Sequence, residues 1–202
     1  MKDLMDELQK SYPEIHYRSF VDNARVIDRG SAWRAGLGFY GKNNTLINPE
    51  YGSAFFIGQI LMDQPVDFVP AVPMESQCGE CTRCLKACPN GALKDGYSLD
   101  ASSCISYLTQ KKKLTETEEK RLRIFIYGCD LCELACPYNQ KQEAVEWKDN
   151  DWNAAWVDLK KMTRIDEETF NDVFGESALH WRGRENLIRN AKLLLNILEK
   201  EC

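Results

Sequence analysis

The chain has 202 residues with 26 basic and 31 acidic side chains, a net charge of −5, which fits one domain or one domain with a small appendage. Its hydrophobic content of 44% and charged content of 28% are typical of a globular protein, and the acidic balance argues against a surface that binds nucleic acid throughout. No run of about 18 apolar residues predicts a membrane span, and the start of the chain, MKDLMDELQK, lacks the apolar core of a signal peptide, so we expect a cytoplasmic protein.

The first 63 residues predict a mixture of short helices and strands. An amphipathic pattern predicts a helix at 2–10, and alternation predicts a strand at 16–21. A helix at 28–35 is expected to end at Gly36, because glycine favours the left-handed conformation that follows many helices. The next segment is rich in glycine, aromatic and β-branched residues, and it predicts a hairpin with strands at 45–48 and 54–62 around a turn at 49–52.

The rest of the chain divides at a proline-containing segment. Residues 64–77 predict an extended linker between the region 1–63 and a cysteine-rich region at 78–142, which contains a predicted helix at 116–126. Residues 143–202 predict a helical segment with a strongly amphipathic helix at 184–200. Its first part is acidic, and three tryptophans there are expected to pack in a core: Trp147, Trp152 and Trp156. The expected fold class is α+β.

Cysteine is the most informative residue type, with nine in the chain. Eight lie between residues 78 and 136, so they do not cross-link the whole length as the disulfides of a secreted protein do. Their spacing is C-x2-C-x2-C-x3-C-P, then an isolated cysteine, then C-x2-C-x3-C-P. Cysteines two residues apart can hold one cluster from a tight loop, and the cysteine before the proline serves the other cluster in two-cluster ferredoxins. The pattern predicts a ferredoxin-like domain with two 4Fe–4S clusters.

The isolated cysteine fills the position that the second run lacks, so eight ligands divide into two sets of four. The first set is Cys78, Cys81, Cys84 and Cys136, and the second set is Cys88, Cys104, Cys129 and Cys132. Four-cysteine zinc sites are the alternative, but zinc does not explain two runs that end in x3-C-P. Cys202 has no spacing partner, and the isolated His16 and His180 are expected to be structural or surface residues.

The flanks of the cysteine pattern resemble a known family. The segment FVDNARVIDRGSAWRAGLGFYGKNNTLINPEYGSAFFIGQILMD at 20–63 is similar to the central motif of the epoxyqueuosine reductases, and CGECTRCLKACPNGAL, CISYLT and IYGCDLCELACPYN follow in the family's order. The tail RGRENLIRNAKLLLNIL is similar to the start of the family's HEAT-like helical repeats. The resemblance implies an oxidoreductase with two 4Fe–4S clusters and cobalamin, which reduces epoxyqueuosine at the wobble position of tRNA to queuosine. It also implies a reductant protein such as a flavodoxin or ferredoxin as a partner.

The resemblance assigns roles to single residues. Asp22 matches the aspartate with which the family protonates the departing epoxide oxygen. Without the resemblance, Asp22 would be interpreted as the cap of a turn after a strand. The region 1–63 would be part of a cobalamin-binding α/β region, in which Lys42 either contacts the cofactor or lies on the surface. The implied cobalamin contacts are Leu46, Ile57, Ile60, Ser106 and Asp130.

Two groups of basic residues are candidates for contacts with tRNA phosphates. Residues 111–123, KKKLTETEEKRLR, carry six basic and three acidic side chains. The alternative for this segment is a solvated helix face with ion pairs between residues four positions apart. The second group consists of Arg182, Arg184, Arg189 and Lys192.

The chain also departs from the family pattern. Arg25 stands where the family usually has a proline, and Asp28 stands before Arg29 where the family usually has a glutamate. The chain begins closer to the aspartate motif, and ends earlier in the helical repeats, than family members usually do. Two other functions therefore stay open: a ferredoxin-like electron-transfer protein, and a cobalamin-dependent reductase of a small molecule.

Overall fold

The computed structural model describes residues 1–22, 25–65, 70–122, 125–140 and 158–201. The N-terminal region contains helices α1 (Lys2–Ser11) and α2 (Asp28–Arg34) and strands β1 (Tyr17–Val21), β2 (Phe39–Tyr40), β3 (Leu46–Ile47) and β4 (Gly58–Met62). The cysteine-rich region contains helices α3 (Arg83–Ala87), α4 (Ile105–Gln110), α5 (Glu116–Glu119) and α6 (Leu131–Leu134) and a 3₁₀ turn at Ala101–Ser103. The C-terminal region contains helices α7 (Leu159–Met162), α8 (Glu167–Phe174) and α9 (Arg184–Glu201) and a 3₁₀ turn at His180–Arg182. The mixed helix and strand class is confirmed, as are the elements predicted at 2–10, 16–21, 28–35 and 184–200.

The strands form two separate antiparallel pairs. β1 pairs with β4, from Tyr17 opposite Met62 to Val21 opposite Gly58. β2 pairs with β3, with Phe39 opposite Ile47. The predicted hairpin is therefore wrong, because its two strands pair with different partners. Both strands form within their predicted bounds, at Leu46–Ile47 and Gly58–Met62, and the turn is closed by a single bridge between Asn48 and Gly52.

After this turn, hydrogen bonds of Ser53 hold the chain away from β3. The Ser53 N–H donates to Asn139 Oδ1 over 2.7 Å, and the Ser53 hydroxyl donates to Glu133 Oε2 over 2.8 Å. Asn139 and Glu133 belong to the cysteine-rich region, so the chain crosses to that region before β4 begins. The partners in these two bonds are separated by 86 and 80 positions in the sequence. A local hairpin pattern cannot indicate such contacts.

The helix predicted at 116–126 is shorter in the structure, because α5 ends at Glu119. Thr115 and Glu118 form a capping box at its start. The Lys111 ammonium, 2.7 Å from the Glu118 carboxylate, holds the pKa of that carboxyl below its ordinary value, with help from the Thr115 N–H. Beyond the helix, the Asn90 side-chain amide donates to the carbonyl of Arg121 over 2.9 Å. That carbonyl is thus bonded to a side chain from another loop and not to the next helical turn.

The C-terminal helices pack on the cysteine-rich region. Ile126 and Tyr127 of that region lie against a core cluster of Met162, Phe170, Phe174, Leu187 and Ala191. The fully buried Asn190 of α9 donates over 2.8 Å to the carbonyl of Thr109 and over 2.8 Å to the carbonyl of Ile126. These two bonds fix α9 against the end of α4.

A second cluster joins the N-terminal region to the cysteines. Phe39 and Ile47, which face each other across β2 and β3, are buried against Cys136. The Tyr138 ring meets the Phe39 ring edge-on at 5.3 Å between centroids. The β2–β3 pair is therefore part of the wall around the first set of cysteines.

Several predictions fall on residues that the structure does not describe. The acidic part of the C-terminal region at 143–157, with Trp147, Trp152 and Trp156, and the terminal Cys202 lie outside the described residues. Within the described ranges, no helix combines the length and the apolar composition that a membrane crossing requires.

Candidate functional site

The cysteines of the first set line one cavity. This cavity has a volume of about 120 Å³, and Lys42, Asn43 and Ile47 of the N-terminal region also line it. A turn at Gly79, where φ is +49°, brings Cys78 and Cys81 together, with the Cys81 N–H donating to the Cys78 carbonyl over 3.0 Å. The other two members come from α3 and from the loop after α6.

The cysteines of the second set line another cavity, of about 190 Å³. Cys88 follows the last residue of α3, and Cys104 precedes the first residue of α4. Cys129 and Cys132 lie at the start of α6. The chain therefore crosses between the cavities twice, because α3 joins the first set to Cys88 and α6 joins the second set to Cys136. The structure brings together the same four cysteines in each cavity that the spacing assigned to each set.

Burial and neighbouring negative groups weaken the acidity of three of these thiols. Burial raises the pKa of Cys84 and of Cys129, and neighbouring cysteines of the same set raise each of them further. Burial raises the pKa of Cys132 to about 12, with the Glu133 carboxylate as the next cause. A bound cation must therefore displace protons from these sulfurs. Among the described residues, no group of His, Cys, Asp or Glu side chains is placed to hold a single metal ion, and the sulfurs of each set stand around a cavity instead.

Backbone donors point at one sulfur in each set. The Lys42 N–H donates to Cys78 Sγ over 3.4 Å, and the Ala92 N–H donates to Cys88 Sγ over 3.2 Å. Hydrogen bonds of this kind stabilise negative charge on a ligating sulfur. The chemistry and placement of the two sets therefore fit 4Fe–4S clusters.

Asp22 lies in a third cavity, of about 420 Å³, at the end of β1. Its φ of +56° is uncommon for a residue other than glycine, although aspartate adopts it more readily than most. The walls include Ile27 and Phe56, residues that are 78% and 80% exposed. An acidic side chain beside exposed apolar groups is the arrangement expected where a large, partly apolar ligand covers a proton donor.

Arg29 connects the Asp22 cavity with the second set of cysteines. It lines both cavities, and its guanidinium donates to the carbonyl of Asn44, which also lines the second-set cavity. Its neighbour Asp28 lines the Asp22 cavity and accepts a hydrogen bond from Gln59 of β4. In the sequence, Arg29 belongs only to a departure from the family motif, and no spacing pattern indicates its position between the two cavities.

The five residues implied as cobalamin contacts lie in different places. Ile57 lines the Asp22 cavity, and Ser106 and Asp130 line the second-set cavity. Leu46 is 3% exposed in β3, and Ile60 lies in β4 opposite Ser19. Neither Leu46 nor Ile60 is among the described residues that line these three cavities.

Lys42 has a structural role at the first set. Its ammonium donates to the carbonyl of Gly79 over 2.5 Å, and its stem packs over Gly96. Lys42 therefore holds the loop between Cys78 and Cys81 against the β2–β3 turn.

The basic residues are only partly available to a polyanion. Arg189 donates to the carbonyls of Lys111 and Lys112, and Arg184 pairs with Glu167 over 2.8 Å. These guanidiniums tie α9 to neighbouring segments, and their contact with phosphates stays a prediction. Among the described residues of the two basic groups, the exposed ones are Lys112, Lys113, Lys120, Arg182 and Lys192.

Comparisons with known proteins agree with the resemblance. Residues 77–139 match the family model of a 4Fe-4S double cluster binding domain. An epoxyqueuosine reductase of Listeria monocytogenes is 38% identical over 186 residues, which cover 91% of this chain and 48% of the relative. A solved epoxyqueuosine reductase with a tRNA-Tyr epoxyqueuosine-modified tRNA stem loop has a TM-score of 0.86 and 38% identity, over 96% of this chain and 52% of that chain. A Bacillus subtilis epoxyqueuosine reductase with its catalytic aspartate loop swung out of the active site has a TM-score of 0.83 and 36% identity, over 96% and 52% of the two chains. The chain spans about half the length of the relatives that it matches.

Proposed function

We propose that this chain, which is related to the epoxyqueuosine reductases over about half of their length, performs their reaction with two 4Fe–4S clusters and cobalamin. It reduces epoxyqueuosine at the wobble position of tRNA to queuosine. The observation that carries the proposal is the adjacency of three cavities. Two are lined by four cysteines each, and Arg29 joins the second of them to the cavity of Asp22. Electron carriers and a proton donor thus lie next to each other.

The reaction needs both of these functions. Conversion of an epoxide to an alkene consumes two electrons and two protons and releases the oxygen as water. The first set of cysteines would hold one cluster and the second set would hold the other, and bound clusters would supply one-electron transfer chemistry. Asp22 donates a proton to the departing oxygen. A reductant protein such as a flavodoxin or ferredoxin supplies the electrons.

Cobalamin fits the side chains between Asp22 and the second set. When bound, it supplies the cobalt chemistry that opens the epoxide. Ile57 and the exposed apolar side chains of Ile27 and Phe56 would hold it from the Asp22 side, and Ser106 and Asp130 from the cluster side. Leu46 and Ile60 are the other two proposed contacts, and they lie in strands β3 and β4, each of which begins next in sequence to a residue that lines one of these cavities.

The remaining assignments follow the same relationship. Region 1–63 is the partial cobalamin-binding and catalytic region, 64–77 the linker, and 78–142 the ferredoxin-like domain. Region 143–202 begins the HEAT-like repeats. The relative solved with a tRNA stem loop supports tRNA as the substrate of this chain. The protein acts in the cytoplasm, where its substrate tRNA is found.

The test combines cofactor content with turnover. Chain purified and reconstituted without oxygen should bind iron, sulfide and cobalamin, and should convert epoxyqueuosine in tRNA faster than in the free nucleoside. Asp22→Asn should abolish turnover and leave cluster absorbance unchanged, since Asp22 lines neither cysteine cavity. Asp63→Asn is the matched control, because Asp63 lies beside the other end of the β1–β4 pair and bonds His16. Failure to bind a corrin would favour the electron-transfer alternative, and full activity of Asp22→Asn would refute the acid role.

A further inference from the structure

The turn between β2 and β3 places one polar side chain beside both cysteine cavities. Asn43 lines the first-set cavity and the second-set cavity, and it is only 5% exposed. Its Nδ2 atom is, within the described part of the chain, the one buried side-chain nitrogen or oxygen without a hydrogen-bond partner. A buried amide donor without an acceptor is costly, so such a group in a folded protein calls for an explanation.

The surrounding turn fixes this amide in one orientation. Asn43 Oδ1 accepts from the Thr45 hydroxyl over 2.9 Å and from the Thr45 N–H over 3.3 Å. Because a backbone N–H can only donate, the oxygen of the amide must face Thr45, and the NH₂ group must face away from it. Gly41 leaves the required space, since a Cβ there would lie 2.5 Å from Asn43 Oδ1. The same turn supplies the Lys42 N–H that points at Cys78 Sγ.

We propose that Asn43 Nδ2 donates a hydrogen bond to sulfur of the iron–sulfur clusters and raises the reduction potential of at least one of them. The inference rests on the proposed binding of two clusters in these cavities. Reduction adds negative charge to a cluster, and a donor at its sulfur stabilises the more negative state. Asn43 is thus a residue that tunes electron delivery, and it takes no part in the bond changes at the substrate.

Redox titration of the reconstituted full chain, followed by EPR, measures this effect. Asn43→Ala removes the donor and should lower the ratio of reduced to oxidised cluster at a fixed solution potential about tenfold, which is about 59 mV for a one-electron couple. Asn43→Asp replaces the donor with a carboxylate of the same shape and should shift the potential further in the same direction. Asn44→Asp adds the same charge one residue away but keeps the Asn43 amide. Aspartate also tolerates the φ of +62° at that position.

The outcomes separate the inference from the proposed function. A lower potential in both Asn43 variants, with unchanged iron content and circular dichroism and a smaller shift in Asn44→Asp, supports the hydrogen bond. Wild-type reduction potentials in both Asn43 variants would overturn the proposed hydrogen bond. It would also be overturned if Asn43→Asp and Asn44→Asp shifted the potential equally while Asn43→Ala did not shift it. If Asn43→Asp loses its clusters, Asn43→Ala decides. A wild-type chain that takes up no clusters overturns the cluster assignment as well.

Discussion

The cysteine cavities give a test that separates two ways of dividing the eight ligands. Cys88 lies close in sequence to the first run of cysteines, but it lines the cavity of the second set. Cys136 shows the opposite relationship, because it follows the second run and lines the first-set cavity. If the clusters followed sequence proximity, Cys88 and Cys136 would exchange places. Two double variants distinguish these arrangements without relying on activity.

The first double variant combines Cys88→Ser with Cys129→Ser, and the second combines Cys88→Ser with Cys81→Ser. In the structure, the first pair removes two ligands from one set and the second pair removes one ligand from each set. Each lost cluster removes about four iron atoms from a total of about eight. The first variant should therefore keep about four iron atoms per chain and the second about none.

Iron and sulfide analysis after anaerobic reconstitution measures these values, and EPR of the reduced protein counts the clusters that remain. Cys202→Ser is the control, because no spacing partner connects Cys202 with either set, and it should keep about eight iron atoms. Reversed iron contents in the two double variants would refute the grouping by cavity. Equal iron contents would show that the sets do not act as separate units.

Three further predictions concern stability and tRNA binding. Asn190→Leu leaves the buried carbonyl of Thr109 and the half-buried carbonyl of Ile126 without this donor, so it should cost about 2 kcal/mol and lower the anaerobic unfolding midpoint by about 4–8 °C. Thr115→Ala removes the cap of α5 and should cost about 1 kcal/mol in the same assay, while Thr117→Ala, at an exposed position of that helix, should cost less. Reversing the exposed Lys112 and Lys113 to glutamate should weaken tRNA binding and flatten its dependence on salt, measured by filter binding at several salt concentrations. Binding that is unchanged at every salt concentration would exclude these lysines as phosphate contacts.

The features that the sequence predicts well have local causes. The grouping of the cysteines depends on spacings of two and three residues, which determine which sulfurs a tight loop and a short helix can bring together. The amphipathic helix at 184–200 is equally local, and α9 occupies it. The Gly36 signal is of the same kind, since the second residue after α2 needs the left-handed φ of +68° that glycine allows.

The features that the sequence does not indicate depend on partners distant in sequence. The segment 45–62 has the composition of a hairpin, but the bonds of Ser53 to Asn139 and Glu133 separate its strands. Arg189 has the charge of a phosphate ligand, but carbonyls at the end of α4 occupy its guanidinium. In both cases the residue types favour the predicted role, but a contact with a segment distant in sequence determines the role that they have in the fold.

At the functional site, the position of Asn43 also depends on tertiary contacts that the sequence alone does not indicate. In the sequence it is one of two asparagines in a turn, where asparagine is common for conformational reasons alone. Only the fold shows that the turn enters the cysteine-rich region, with Lys42 bonded to the first set and Asn44 bonded to Arg29 at the second. The region that holds Asp22 therefore also contributes to the surroundings of both clusters. The Asp22 cavity and the two cysteine cavities belong to one packed unit, so a ferredoxin-like domain without residues 1–63 would lack the donors that the β2–β3 turn provides.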